Sequence, residues 1–401
     1  MNKTKGLILS IFFMLIFCIT TIGFSEEGVT DTEIHIGQSG PQTGPAAPWG
    51  IVSKGSAFYF DMINAEGGVH GRKIVHHDFD DGYNPANTKY GVKHLQETIG
   101  MFCWLGIVGA ETGLAVKDYF IKKEIPWVGP TDGSLLWTIP PTRTIFNIYV
   151  PFHYESSLLC RYAVNILGKK RIAIIYQNAN YGTTGLKGAV EEMERLGIPL
   201  IAQIPVDKGQ TSMQNYALML KKAEAEVVLI WMTPFEAVHL LKSAQDMKYF
   251  PQWMASSSFS DFDFMYKASR GLWENMIAST YGEFTDTPLM IKYKEAYKKL
   301  TGKESWGGGF FLAGIAWAEV LIEGLKRTGR DLTREKFIKA MEGIRNFKGA
   351  AGYINYYPFD PNNPACREGQ NELFIVQCLK DGKMKIISDW VKPGGKIILL
   401  K

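Results

Sequence analysis

Polar and apolar positions alternate over 33–37 (Glu-Ile-His-Ile-Gly), which predicts a short half-buried strand. A Gly/Pro-rich loop over 39–50 follows, then a helical stretch to Glu66 that Gly67-Gly68 stops with residues tolerant of positive φ. The pattern continues with a strand over 73–79 and a helix opening at Asn84-Pro85, an N-cap with proline at the first helical position. An apolar strand over 104–108, a helix over 112–123 and a strand over 126–128 complete a β-α-β-α-β-α-β series. Past Phe146 the rhythm restarts, with predicted strands at 171–176, 200–205, 227–231 and 253–255 between helices at 154–167, 184–196, 212–223 and 235–247. Short apolar strands separated by helices imply parallel sheets covered on both faces, so the fold class is α/β, with two doubly wound lobes in series. Beyond Tyr281 the pattern changes to helices over 288–300, 310–327 and 333–341, then strand-like stretches at 353–357, 373–379 and 385–389.

In doubly wound sheets a ligand sits beyond the carboxyl ends of the strands. The loops there, 39–49, 109–112, 129–134, 177–181, 232–234 and 256–260, are rich in Gly, Ser and Thr. Any one of them is explained by turn and cap formation. Six on one edge point to a small polar-ended ligand held by backbone N–H groups and hydroxyls. The sequence contains no Gly-x-Ser-x-Gly, His-Glu-x-x-His, phosphate-loop or dinucleotide fingerprint. His76-His77 beside Asp78, Asp80 and Asp81 is read as a solvated strand end rather than a metal site, because adjacent strand residues face opposite ways. No cofactor or metal is expected.

Composition adds an N-terminal expectation and one question. Lys3 and Lys5 precede an apolar run over 7–22, and Gly23-Phe24-Ser25 places small residues for cleavage after Ser25, so residues 1–25 are expected to be a secretory signal. With 44 Lys+Arg against 40 Asp+Glu the surplus is too small for a nucleic-acid footprint. Cys103, Cys160, Cys366 and Cys378 are too few after the signal to make a disulfide scaffold, although Cys366 and Cys378 flank a segment short enough to be closed by a bridge. The question is aromatic: 10 Trp, 18 Tyr and 23 Phe exceed what a core needs.

The run Asn64-Ala65-Glu66-Gly67-Gly68-Val69-His70-Gly71, preceded by Gln38-Ser39-Gly40-Pro41 and followed by Asp80-Asp81 and Asn84-Pro85, resembles the opening of the periplasmic leucine/isoleucine/valine-binding protein family. Similarity continues through Pro126 to Pro130, Asn180-Tyr181-Gly182 and Asp381-Gly382. The resemblance implies a type I periplasmic binding fold, two lobes joined by three hinge crossings near 147–151, 280–282 and 366–370. Lobe 1 would comprise 26–147 plus 281–365, and lobe 2 would comprise 148–280 plus 370–395. It also implies a monomeric, non-enzymatic, extracytoplasmic protein that closes on a small-molecule ligand and hands it to the membrane permease of an ABC importer. A ligand sensor of the same fold is the alternative, and a secreted enzyme the reading ranked last.

Carried over by position, the resemblance implies ligand contacts from Trp49, Thr112, Thr131, Asp132, Gly133, Ser134, Tyr181 and Thr233. At Ser257 the sequence departs from the family, which places an acid there to pair with a ligand ammonium. A buried ammonium without a counter-charge is costly, so either Asp132 or Glu111 substitutes or the ligand has no ammonium. Trp104 and Trp231 at strand ends, with Trp49, Tyr181, Phe235 and Trp127, would bring rings to the pocket edge, although Trp127 and Trp231 taken singly read as strand core; together the rings suit a carboxylate or amide with an apolar or aromatic body.

Overall fold

The computed structural model describes residues 26–282, 287–306 and 308–400. The signal expected over 1–25 lies outside the described residues. Five parallel strands form the first sheet in the order β2-β1-β3-β4-β5: β1 (Glu33–Gly40), β2 (Lys73–Asp80), β3 (Cys103–Gly106), β4 (Trp127–Val128) and β5 (Ile145–Phe146). Helices Ile51–Ala65, Pro85–Thr98 and Ala110–Lys122 connect the first four strands. Strand β3 stops short of the expected end at 108 because Gly106 and Ile107 both take positive φ, which turns the chain towards the next helix.

The second sheet runs β14-β13-β10-β9-β8-β6-β7. Its parallel part is β6 (Ile172–Gln177), β7 (Ala202–Val206), β8 (Val227–Trp231), β9 (Gln252–Ala255) and β10 (Ile277–Thr280). The late strands β13 (Phe374–Cys378) and β14 (Met384–Ile386) extend it by antiparallel pairing onto β10. Strand β10 and the helix Phe262–Ala268 were not anticipated; Ile-Ala-Ser-Thr carries one large apolar residue and gives no run for periodicity to detect. The stretch near 353–357 also differs from a sheet strand: β12 (Gly352–Ile354) pairs only with β11 (Phe347–Gly349) in a small hairpin.

Helices Pro288–Thr301, Gly309–Thr328 and Arg334–Glu342 return to the first sheet. Phe337 packs on Phe102 with centroids 5.5 Å apart, and Arg334 Nε donates to the Phe102 carbonyl at 3.0 Å. The closest approach is between Gly314 and the helix Ile51–Ala65, where a Cβ on Gly314 would stand 1.9 Å from the Val52 carbonyl oxygen and one on Gly55 2.0 Å from that of Phe311. Two lobes are therefore joined by three crossings. The first and third run side by side, with Asn147 N donating to the Arg367 carbonyl at 3.0 Å and the Tyr356 hydroxyl donating to the Asn147 carbonyl at 2.8 Å. The second meets the first through Tyr149 and Tyr281, whose rings lie 5.4 Å apart.

All four described cysteines are free and buried, so the bridge considered for Cys366 and Cys378 is not formed. His76 and His77 point apart as the strand pleat requires: His76 Nε2 lies 2.9 Å from Gln38 Oε1, and His77 Nε2 lies 2.9 Å from His35 Nδ1.

Gly314→Val forces these two helices apart. An overpacking cost of about 1–3 kcal/mol lowers the Tm of the ligand-free protein by several degrees, read by calorimetry.

Candidate ligand-binding site

The carboxyl ends of both sheets face each other across a partly open pocket whose free space, open solvent included, is about 760 Å³. The first lobe contributes Trp49, Val52, Tyr83, Gly109, Thr131 and Asp132; the returning helix adds Leu312, Ala316 and Trp317. The second lobe contributes Phe152, Tyr181, Ser257, Ser258 and Ser260, and two crossings place Tyr149 and Tyr281 between the lobes. Gly109 has φ 102°, and a Cβ there would stand 2.4 Å from the Tyr83 ring, so only glycine lets that ring close against the strand end.

The lobes touch directly around this pocket. Trp49 Nε1 donates to the Ser258 carbonyl at 3.3 Å, and the Trp49 and Tyr181 rings meet edge to face at 6.0 Å. Lys208 of the second lobe donates to the Tyr83 carbonyl and holds its ammonium 4.1 Å over the Tyr83 ring. Glu111, in the first turn of the helix Ala110–Lys122, accepts from Asn180 N at 3.2 Å and Asn180 Nδ2 at 2.7 Å. It thereby satisfies the start of the helix Asn180–Arg195, which no side chain of its own lobe caps.

Two buried carboxyl groups carry the site's electrostatics. Asp132 Oδ1 accepts from Ser134 N at 2.8 Å and Trp137 Nε1 at 3.1 Å. Burial nonetheless pushes its pKa up to about 7, against those bonds. Glu155, on the helix Phe152–Asn165 behind Ser257, accepts from Ser257 N at 2.6 Å, Ser257 Oγ at 2.7 Å and Ser279 Oγ at 2.8 Å. Burial raises its pKa to about 7 as well. Among the described residues no Lys, Arg or His lines the pocket.

Of the ten residues singled out in the sequence, Trp49, Thr131, Asp132, Tyr181 and Ser257 lie on the pocket wall. The others serve locally. Thr112 Oγ1 donates to the Gly109 carbonyl at 2.9 Å, Ser134 Oγ accepts from Leu136 N at 3.3 Å, and Thr233 forms a capping box with Glu236. Gly133 accepts from Phe152 N at 2.8 Å and packs under the first crossing, while Glu111 bridges the lobes outside the pocket. The expectation for Trp104 and Phe235 needs correcting: Trp104 belongs with Trp127, Trp137 and Phe120 to a separate core of the first lobe, and Phe235 lies tilted against His239 at the surface. Trp127 and Trp231 are core residues, as each read singly, with Trp231 buried under Gly185. The rings that reach the pocket instead include Tyr149 and Tyr281, whose signal was their position in the expected crossings, and Trp317, which had none.

Two α/β lobes that meet over a shared pocket, with residues of the crossings in its wall, are the architecture of a two-lobed binding fold. The chain belongs to the periplasmic binding protein family, whose sequence profile matches residues 33–383. It is 25% identical over 340 residues to Leu/Ile/Val-binding protein homolog 3 of Brucella melitensis, spanning 84% of this chain and 90% of that protein. A fatty acid ABC transporter substrate-binding protein from Thermomonospora curvata superposes with a TM-score of 0.80 at 21% identity, over 92% of this chain and 94% of that one. A branched-chain amino acid ABC transporter protein from Thermus thermophilus with bound valine gives 0.80 at 18%, over 91% and 97%.

Tyr181→Ala removes a pocket-wall ring that also packs on Phe152 and hydrogen-bonds Ser256 Oγ within its own lobe. Solute affinity falls by more than ~10-fold, about 1.4 kcal/mol, and the Tm of the ligand-free protein falls too; calorimetric titration and a melting curve read the two effects.

Proposed function

We propose that this chain is an extracytoplasmic solute-binding protein that captures a small amino-acid-like, amide or carboxylate solute and delivers it to the membrane permease of an ABC importer. The observation carrying this reading is the pocket wall, to which both lobes and two crossings contribute side chains. Such a wall is complete only when the lobes are together. A solute touching both sides binds the closed state better than the open one, and that differential affinity drives closure. At micromolar affinity it would supply about 8 kcal/mol. The predominance of Trp49, Tyr83, Phe152, Tyr181, Tyr281 and Trp317 supports a solute whose body is apolar or aromatic.

The reading includes lobes of 26–147 plus 281–365 and 148–280 plus 370–395, a monomeric working form, and export directed by residues 1–25. The relatives' printed functions span branched-chain amino acids and fatty acids, which supports the transport role and an apolar body for the solute.

The test is chemical and geometric together. Mass spectrometry of small molecules released on denaturing the purified protein identifies the solute. Returned to stripped protein, that solute raises the Tm, contracts the scattering envelope and is recovered unchanged. Turnover of the solute, or binding without contraction, would sink the proposal.

A further inference from the structure

The returning segment reaches the pocket a second time. Between β11 and β12 the chain turns through Gly349-Ala350-Ala351-Gly352, and Ala350 and Ala351 both line the pocket. The helix that brings Ala316 and Trp317 to the wall also carries Glu319, 5% exposed, whose Oε2 accepts from Ala350 N at 2.6 Å. Gln370, 2% exposed and at the end of the third crossing, donates from Nε2 to the Ala351 carbonyl at 2.8 Å. Glycine at each end of the turn admits these side chains: a Cβ on Gly349 would stand 2.5 Å from Glu319 Oε2, and one on Gly352 2.6 Å from Gln370 Nε2. Gly352 also takes a φ of 86°, which favours glycine in its own right.

Both ties are themselves held in place. Glu319 accepts from the Tyr293 hydroxyl, and the Tyr293 ring packs edge-on against Tyr59 at 5.8 Å. Gln370 Oε1 accepts from Asn371 N at 2.8 Å and Glu372 N at 3.0 Å, which settles which end of the amide faces Ala351. Asn355 N, just past β12, donates to the Gly369 carbonyl at 3.1 Å, so hairpin and crossing also share a backbone bond. Two alanines bring little apolar area of their own to anchor the turn, and its place in the wall comes from these bonds.

We infer that Glu319 and Gln370 are positioning residues that fix the turn 349–352 in the pocket wall and thereby set the length of solute body the pocket accepts. The inference rests on the solute-binding reading and sharpens it: neither side chain lines the pocket, and each acts through a backbone group of the turn. With both ties made, the wall at Ala350 and Ala351 cannot withdraw without leaving a buried N–H or C=O unpaired. A fixed wall rejects a chain that is a methylene or two too long, because the excess must displace packed atoms; a loosened wall yields to it. Burial pushes the pKa of Glu319 up to about 7, so near neutral pH the uncharged acid is well populated, and glutamine copies its shape and keeps an acceptor for Ala350 N.

The experiment titrates stripped protein with the straight-chain acids from butanoate to octanoate, with their primary amides and with the matching 2-amino acids. The protein binds one length best and the member two methylenes longer at least ~10-fold more weakly. Glu319→Leu, which removes the acceptor for Ala350 N, narrows that gap to within ~3-fold. Gln370→Glu, which keeps the acceptor for Asn371 N and Glu372 N but loses the donor to Ala351, does the same and carries the test if the leucine variant does not fold. Glu319→Gln keeps the wild-type preference. A purely structural role would lower the affinity for every length together and leave the preference unmoved. Hydrogen exchange over β11, β12 and their turn, read in the solute-free protein, speeds up in Glu319→Leu and Gln370→Glu and not in Glu319→Gln. An unchanged length preference or unchanged exchange in both disruptive variants, or a glutamine variant that behaves like the leucine one, overturns the inference and leaves the transport reading standing. Wild-type protein that binds no member of any series and releases no small molecule on denaturing removes the solute-binding reading, and this inference with it.

Discussion

The backbone contact between Gly314 and the helix Ile51–Ala65 is the constraint on which the pocket depends. At this crossing the two helices come closer than any side chain permits, since a Cβ on Gly55 or Gly314 would lie about 2 Å from a carbonyl oxygen of the facing helix. The contact fixes the returning segment against the first lobe, so that Leu312, Ala316 and Trp317 face the cleft from one helix while Val52 faces it from the other. It also dictates the topology. A chain that leaves the first lobe at β5, builds the second and comes back to this groove must cross three times, because its last strands belong to the second sheet. The hinge and the pocket are thus consequences of one packing decision.

Closure around the pocket uses few, specific bonds. Glu111 reaches the start of a second-lobe helix, and Asp261 of the second lobe accepts from Phe310 N at the start of the first-lobe helix Gly309–Thr328. Each carboxylate thus meets N–H groups that its partner helix leaves unsatisfied. Contacts of this kind are individually modest in water.

The aromatic excess divides by location. Trp104, Trp127, Trp137 and Phe120 fill a core under the first sheet, and Phe58, Tyr297, Trp306 and Phe311 pack where the returning helices dock. A smaller set, Trp49, Tyr83, Tyr149, Tyr181 and Tyr281 among them, surrounds the solute space. The pocket's tyrosines bring hydroxyls as well as faces, and that of Tyr149 meets Ser257, whose hydroxyl also reaches Glu155. One set of side chains therefore shapes the cavity and sets its polarity.

By itself the sequence determined the two α/β series, the order of helices and strands, the third segment of different rhythm, and the loops that would meet at the cleft. Local periodicity and turn chemistry record those directly. Trp49, Thr131, Asp132, Tyr181 and Ser257 were legible because they sit at strand ends or in motifs, where position along the chain implies position on the sheet edge. Strand β10, the free state of Cys366 and Cys378, the sorting of tryptophans between core and pocket, and the contact of Glu155 with Ser257 were decided only in three dimensions. A strand such as Ile-Ala-Ser-Thr is specified by the neighbours that bury it. An acid more than a hundred residues from the serine it supports leaves no local trace, because what gives it meaning is the packing that carries a helix beneath a loop.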